Sequence, residues 1–334
     1  MLKQKCDSSV RNLDTIHLHH LINLNSEVYS YIQLENTLII IGLGNGTINY
    51  FNKEDLFNPF FILHLDNHPI SNITPIPNNL IACSSNKPTI FIVGEDPQNR
   101  GEYEIKNKIN LKNSANQINK IVSLENSNIL TIDNCFISLW SSNFDIIREK
   151  KINSPIVDLL LLKKKKFVCA LPLKQCLTFY EHEKLTETYN IKDIKFISCV
   201  DFNNILCLFS DEDLILVGGC LGSIYLVNLK YKEFIANIKL ENTKGIVTSV
   251  YQLVNGDFVC GVSQVFADEA GENVKVSSDL VQYQYRALSN SFREISRKKD
   301  IHSNIIRIII EIINHKEMKE LITASLDGSV KVWN

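Results

Sequence analysis

Leu321-Ile322-Thr323-Ala324-Ser325-Leu326-Asp327-Gly328-Ser329-Val330-Lys331-Val332-Trp333-Asn334 is the stretch whose reading decides the fold. Leu321 to Ser325 mixes apolar and small residues as a short strand does. Asp327-Gly328 supplies a turn that tolerates positive φ, and Val330, Val332 and Trp333 resume a strand. A hairpin of this size cannot bury its own faces, so something must repeat around it.

The same pattern runs without a gap from Ile39 to Asn52, where Asn45 stands for Asp327, Gly46 for Gly328, Phe51 for Trp333 and Asn52 for Asn334. Phe51 and Trp333 are 333 − 51 = 282 positions apart, or six intervals of 47. That spacing is close to the roughly 40 to 45 residues of one class of propeller repeat. Weaker copies fall between them: Asn86 to Val93, Asp133 to Trp140, Leu177 to Tyr180, and Gly218 to Asn228. The sixth is stretched, with Asp257 to Val262 as one strand and Leu280 to Tyr285 as its partner. Apolar segments precede the hairpins (Val28 to Leu34, Ile118 to Leu124, Ile156 to Leu162, Val247 to Leu253, Ile305 to Ile313) and follow them (Phe60 to Leu65, Tyr103 to Leu111, Ile146 to Ile152, Phe234 to Leu240). Each unit therefore reads as four strands, a to d in chain order.

These units resemble WD40 repeats over essentially the whole chain, most specifically in the last one. The resemblance implies an all-β fold: a seven-bladed WD40-like β-propeller with four-stranded antiparallel blades. Residues 1–334 would form a single propeller domain, with residues 1–10 flexible. The chain stops after strand c of the seventh blade, and Leu13 to Ile22 is placed to supply the missing strand d. An N-terminal strand pairing with the last blade would close the ring and remove two exposed edges. In blade five, two runs compete for strand a, Ile194 to Val200 and Ile205 to Phe209.

In WD40 proteins that carry the full motif, a His ahead of strand a, a Ser or Thr in b, the Asp of the b-to-c turn and the Trp of c form a hydrogen-bonded structural tetrad. Here the matching residues are His302, Thr323, Asp327 and Trp333. His68 matches the His of blade two, where Asp and Trp are missing at their motif positions. A His-Thr-Asp set also fits a hydrolytic triad, but a triad needs an exposed nucleophile and an oxyanion site. The inner strands a read as apolar, which leaves no convergent acid and base for channel chemistry. No Walker A, GxGxxG, HExxH or GxSxG pattern occurs, so no enzyme is expected.

The chain has 334 residues, 45% hydrophobic, with 35 basic and 37 acidic side chains, so no global field recruits a polyanion. Lys163, Lys164, Lys165 and Lys166 are candidate phosphate contacts to RNA or an anionic lipid. The plainer reading is a solvated turn between strands a and b of blade four. A second basic group, Arg293, Arg297, Lys298 and Lys299, also lacks interleaved aromatics. The FRRG signature of phosphoinositide-binding propellers is absent. His17, His19 and His20 cannot all face one side of a strand, so no metal is expected there, and no cofactor elsewhere. Nine cysteines without a CxxC pair, no signal peptide and no transmembrane run fit a cytoplasmic or nuclear protein.

An insertion in blade six, Phe266 to Ser278, carries Phe266, Asp268, Glu269 and Glu272 as candidate partner contacts. The function expected is a non-catalytic protein–protein interaction scaffold or adaptor, a subunit of a multiprotein complex that binds other proteins or peptides through rim loops. The alternative is an RNA- or anionic-lipid-binding propeller using the Lys163 to Lys166 patch.

Overall fold

The Asp327-Gly328 turn forms as its sequence requires: Gly328 has φ +79°, and its counterpart Gly46 has φ +83°. At Gly46 a Cβ would run into the carbonyl of Asp66, so the position is closed to side chains for space as well as for conformation. The computed structural model describes residues 13, 16–34, 38–53, 55, 56, 58–111, 117–163, 165–192, 206–208, 214–219, 222–239, 245–267, 274–286, 289, 291–313 and 319–334. Residues 1–10, expected to be flexible, lie outside that set.

After β1 (Leu18–Asn23), the strands group in fours. Blade one is β2 (Val28–Leu34), β3 (Leu38–Leu43), β4 (Thr47–Asn52) and β5 (Phe61–His64). Blade two is β6 (Ile70–Ile76), β7 (Leu80–Ser85), β8 (Thr89–Glu95) and β9 (Tyr103–Asn110). Blade three is β10 (Ile118–Ser123), β11 (Ile129–Asp133), β12 (Phe136–Trp140) and β13 (Ile146–Lys151). Blade four is β14 (Asp158–Leu162), β15 (Lys166–Leu171), β16 (Cys176–Glu181) and β17 (Thr186–Ile191). Blade five is β18 (Leu206–Leu208), β19 (Leu214–Gly218), β20 (Ser223–Asn228) and β21 (Glu233–Lys239). Blade six is β22 (Ile246–Gln252), β23 (Phe258–Ala267), β24 (Val274–Arg286) and β25 (Ser291–His302). Blade seven takes β26 (Ile306–Ile313), β27 (Lys319–Ser325) and β28 (Ser329–Trp333), with β1 outermost, in the order β1-β28-β27-β26.

Ring closure is antiparallel, with Leu18 opposite Trp333 and Ile22 opposite Val330. The His17 and Asn334 backbones exchange hydrogen bonds at 2.9 and 3.1 Å, extending the ladder by one pair. The closing strand begins five residues later than the Leu13 start expected for it. Leu13 and Ile16 instead pack between blades six and seven, and the Leu13 N–H donates to Gln282 Oε1 at 3.1 Å and Ser296 Oγ at 3.0 Å in blade six. In blade five, β18 falls within the second of the two candidate runs.

Blade six departs from the insertion expected there. Most of the stretch from Phe266 to Ser278 is strand, not loop, because β23 and β24 stay paired out to Ala267 opposite Val274. The last β25 pair is Ser278 with His302, and the β22 ladder ends at Ile246 opposite Ser263. Among the described residues, Gln264 to Ala267 and Val274 to Ser277 therefore make a ribbon of two strands with no third strand paired to it.

The apolar core is divided rather than central. Seven buried clusters occupy the seven junctions between adjoining blades; one joins Ile41 and Phe51 of blade one to Ile308 and Val332 of blade seven. Blade faces approach closely where strand b carries a small residue. At Gly261 an added Cβ would stand 2.6 Å from Ser249 Oγ and 3.0 Å from Ile306 Cβ of the next blade. Gly261→Val should therefore lower stability by about 1–3 kcal/mol through overpacking, measured as a drop in the urea midpoint at unchanged slope.

Candidate functional site

The tetrad residues of blade seven come together. Trp333 Nε1–H donates to Thr323 Oγ1 at 3.1 Å, and Thr323 Oγ1 lies 2.9 Å from His302 Nε2. His302 Nδ1 lies 3.1 Å from Asp327 Oδ2. The order that satisfies every atom is Trp to Thr to His to Asp, with a neutral imidazole protonated on Nδ1. Asp327 also accepts from the Ser303 and Ser329 backbone N–H groups, each at 2.9 Å. Thr323 is 0% exposed. Its hydroxyl is inaccessible to a substrate, so the set is not a nucleophilic site.

Burial lowers the His302 pKa below its ordinary 6.5, more than the facing Asp327 raises it. For Asp327 burial acts to raise the value, but hydrogen bonds from His302 and Ser329 outweigh it and hold the carboxyl well below the usual range. Both folded values are depressed, so both groups contribute stability that is complete above their unfolded values. It is lost as pH falls below about 6.5 for His302, then below about 4 for Asp327. The melting temperature should decline on acidification from pH 7 to 5, and His302→Asn should flatten that decline. Thr323→Val, which strands the Trp333 N–H and the His302 Nε2, should cost about 1–3 kcal/mol in a denaturant titration.

Other blades carry fragments of this device. In blade three Trp140 Nε1–H donates to Thr131 Oγ1 at 2.9 Å, and Asp133 Oδ1 accepts the Cys135 and Phe136 N–H groups at 2.7 Å. No histidine precedes β10. In blade two, Asp66 takes Ser85 Oγ–H at 2.8 Å and lies 3.3 Å from His68 Nδ1. This carboxylate comes from the loop ahead of strand a instead of the b-to-c turn; the only signal in the sequence is its place two residues before His68.

The inner strands are less apolar than they read. Among the described residues the ladder between strands a and b slips by one residue in five blades, at Tyr29, Ser71, Asn119, Thr248 and Arg307. A residue skipped by the ladder turns its side chain out of the alternation, and four of these five reach a carbonyl of the next blade. Ser71 Oγ donates to Ile118 O (3.3 Å), Asn119 Nδ2 to Ile156 O (2.6 Å), Thr248 Oγ1 to Ile306 O (2.9 Å), and Arg307 Nη2 to Tyr29 O (3.5 Å). Ser30, beside the bulge of blade one, donates to Ile70 O at 2.6 Å. Blades three and four are also tied by Lys120 and Asp158, 3.1 Å apart. These residues form a polar collar at the blade junctions, of which Ser30, Ser71, Lys120 and Arg307 also line a central cavity of about 430 Å³.

Phe266 and Val265, on the two-stranded ribbon of blade six, are 52% and 56% exposed. Asp268, Glu269 and Glu272 fall between β23 and β24 in the chain and lie outside the described residues, as does Lys164. Lys163 and Lys165 occupy the turn from β14 to β15, Lys166 opens β15, and Lys165, at φ +58°, pairs with Glu183. Arg297 is held by Glu294 and Asp279. His17 and His19 are exposed on or beside β1, His19 lying 3.7 Å from Glu320. Among the described residues no group of three His, Cys, Asp or Glu side chains is placed to hold a metal ion, and no helix is long and apolar enough to cross a membrane.

No family model matches the sequence, and no curated protein matches it either. Among solved structures the chain is similar to the WD40 β-propeller domain of Doa1, with a TM-score of 0.68 over 96% of this chain and 97% of that one. Sequence identity is 11%, so the likeness is one of architecture: the chain has the fold of a seven-bladed WD40 β-propeller.

Proposed function

We propose that this propeller is a non-catalytic, single-domain scaffold that binds protein or peptide partners through its rim, as a subunit of a larger assembly. The observation that carries the proposal is the ribbon of blade six. It extends past the last strand pairs of its blade and holds two large apolar side chains, Val265 and Phe266, more than half exposed. A rigid ring presents such a ribbon at little cost in ordering entropy, and exposed aromatics are the usual anchors of interfaces. Asp268, Glu269 and Glu272 adjoin these residues in sequence and favour a basic partner segment. Cys83, Cys135, Cys169 and Cys176 are free, which supports residence in the cytoplasm or nucleus.

The polyanion-binding alternative gains no support from the lysine turn. Lys165 is matched by Glu183 and feels Glu125 and Glu181 as well, so the local field there is mixed in sign.

Affinity purification from the native cell followed by mass spectrometry tests the proposal. The wild-type chain should recover a stoichiometric partner, and Phe266→Asp should lose it while melting within about 0.5 kcal/mol of wild type, as surface changes do. Recovery of the wild-type chain alone would overturn it, as would retention of the partner by the variant.

A further inference from the structure

We propose that Ser289, at the tip of the β24–β25 hairpin of blade six, is a phosphorylation site whose phosphate is held between Arg286 and Arg293. The two strands stay paired to the end of this hairpin, with Arg286 opposite Ser291 and Gln284 opposite Arg293. Opposed residues share a face of a sheet, as do residues two apart along a strand. Arg286, Ser291 and Arg293 therefore lie on one face, while Tyr285 and Phe292 turn to the other and pack against the junction with blade five.

Both arginines are exposed. They are diagonal neighbours across the ladder, a spacing of roughly 7–8 Å, and like charges so placed repel unless an anion stands between them. Among the described residues neither has an ion-pair partner, whereas Arg297, further along β25, is taken by Glu294 and Asp279. The Ser289 hydroxyl is exposed and lies 2.6 Å from that of Ser291, which sits on the arginine face directly across from Arg286. The Ser289 bond to Arg286 O, at 3.4 Å, is long and readily displaced. Arg286 also stands three residues ahead of Ser289, and protein kinases select substrates by such charge patterns. In the transfer, Ser289 Oγ attacks the γ-phosphorus of a nucleoside triphosphate and the bond from that phosphorus to the bridging oxygen breaks. Nucleoside diphosphate leaves, and the hydroxyl proton passes to the catalytic aspartate of the kinase. The product carries a charge of about −1.5 to −2 and three acceptor oxygens, which two guanidinium groups match in charge and in donors.

Incubation of the full chain with magnesium ATP and the catalytic subunit of cyclic-AMP-dependent kinase, an arginine-directed enzyme, tests the assignment by mass spectrometry. Phosphate is expected on Ser289, lost in Ser289→Ala and added about tenfold more slowly in Arg286→Gln, the loss of one charge-assisted contact to the kinase. Phosphorus NMR of the modified chain tests the clamp. The second ionisation of the phosphate should fall at about pH 5, below the roughly 6 of free phosphoserine, because neighbouring cations favour the dianion. Arg293→Gln leaves the residue ahead of the acceptor in place and should return that ionisation toward 6. Phosphate on Ser291 in place of Ser289, no incorporation into the folded chain, or an ionisation unmoved by Arg293→Gln would each overturn the proposal and leave the pair as solvated surface charge.

Discussion

The hydrogen bond from a bulged strand-a residue to a carbonyl of the next blade is the constraint on which the ring depends. Two sheets packed through apolar side chains can slide or rotate at modest cost, since burial is not directional. A ring of seven must place every blade at one angle or fail to close. Ser71, Asn119, Thr248 and Arg307 supply the direction, each tying its own strand to one carbonyl of its neighbour. The bulge makes this possible by removing one residue from the alternation, so that a polar side chain faces the adjoining blade without breaking the apolar pattern on either side. The small strand-b residues Gly42 and Gly261 belong to the same device, because a Cβ there would occupy the space taken by Ser30 and Ser249.

Blade seven is the junction under most demand, since its four strands come from both ends of the sequence. It is also the blade with the full chain of Trp333, Thr323, His302 and Asp327. The tetrad ties strand c to strand b, and strand b to His302 at the end of β25 in blade six, so the edge that β1 joins is anchored to the neighbouring blade as well. Blades closed by consecutive strands manage with fragments, such as Thr131 with Trp140, or Asp66 with Ser85.

The b-to-c hairpins were legible because their turns need residue types found at few other places, Gly46 and Gly328 at positive φ, and because an aromatic recurs at one end of strand c. The closing strand was legible as a counting argument, though its start was not: Leu13 and Ile16 are apolar like strand residues but pack against blade six instead. The collar was hidden, since a single Ser, Asn or Thr in a strand gives no sign that a bulge will turn it toward a neighbour. Asp66 was missed because the motif places its carboxylate after strand b, whereas this one precedes strand a. The ribbon of blade six read as a loop because Ala267 to Glu272 is polar and small, while Gln264 to Phe266 and Lys275 to Ser277 continue the strand ladder on either side.

The placement of β1 has a consequence for how the molecule is made. This strand is made before blades one to six, yet its partner β28 comes after all of them. Contacts so distant in sequence are slow to form, and a chain waiting for them exposes unpaired edges to other chains. The Leu13 contacts with Gln282 and Ser296 delay docking of the leading segment in the same way. Ring closure therefore waits until β28 is available, and a chain held before that step carries the unpaired edges that β1 and β28 cover in each other.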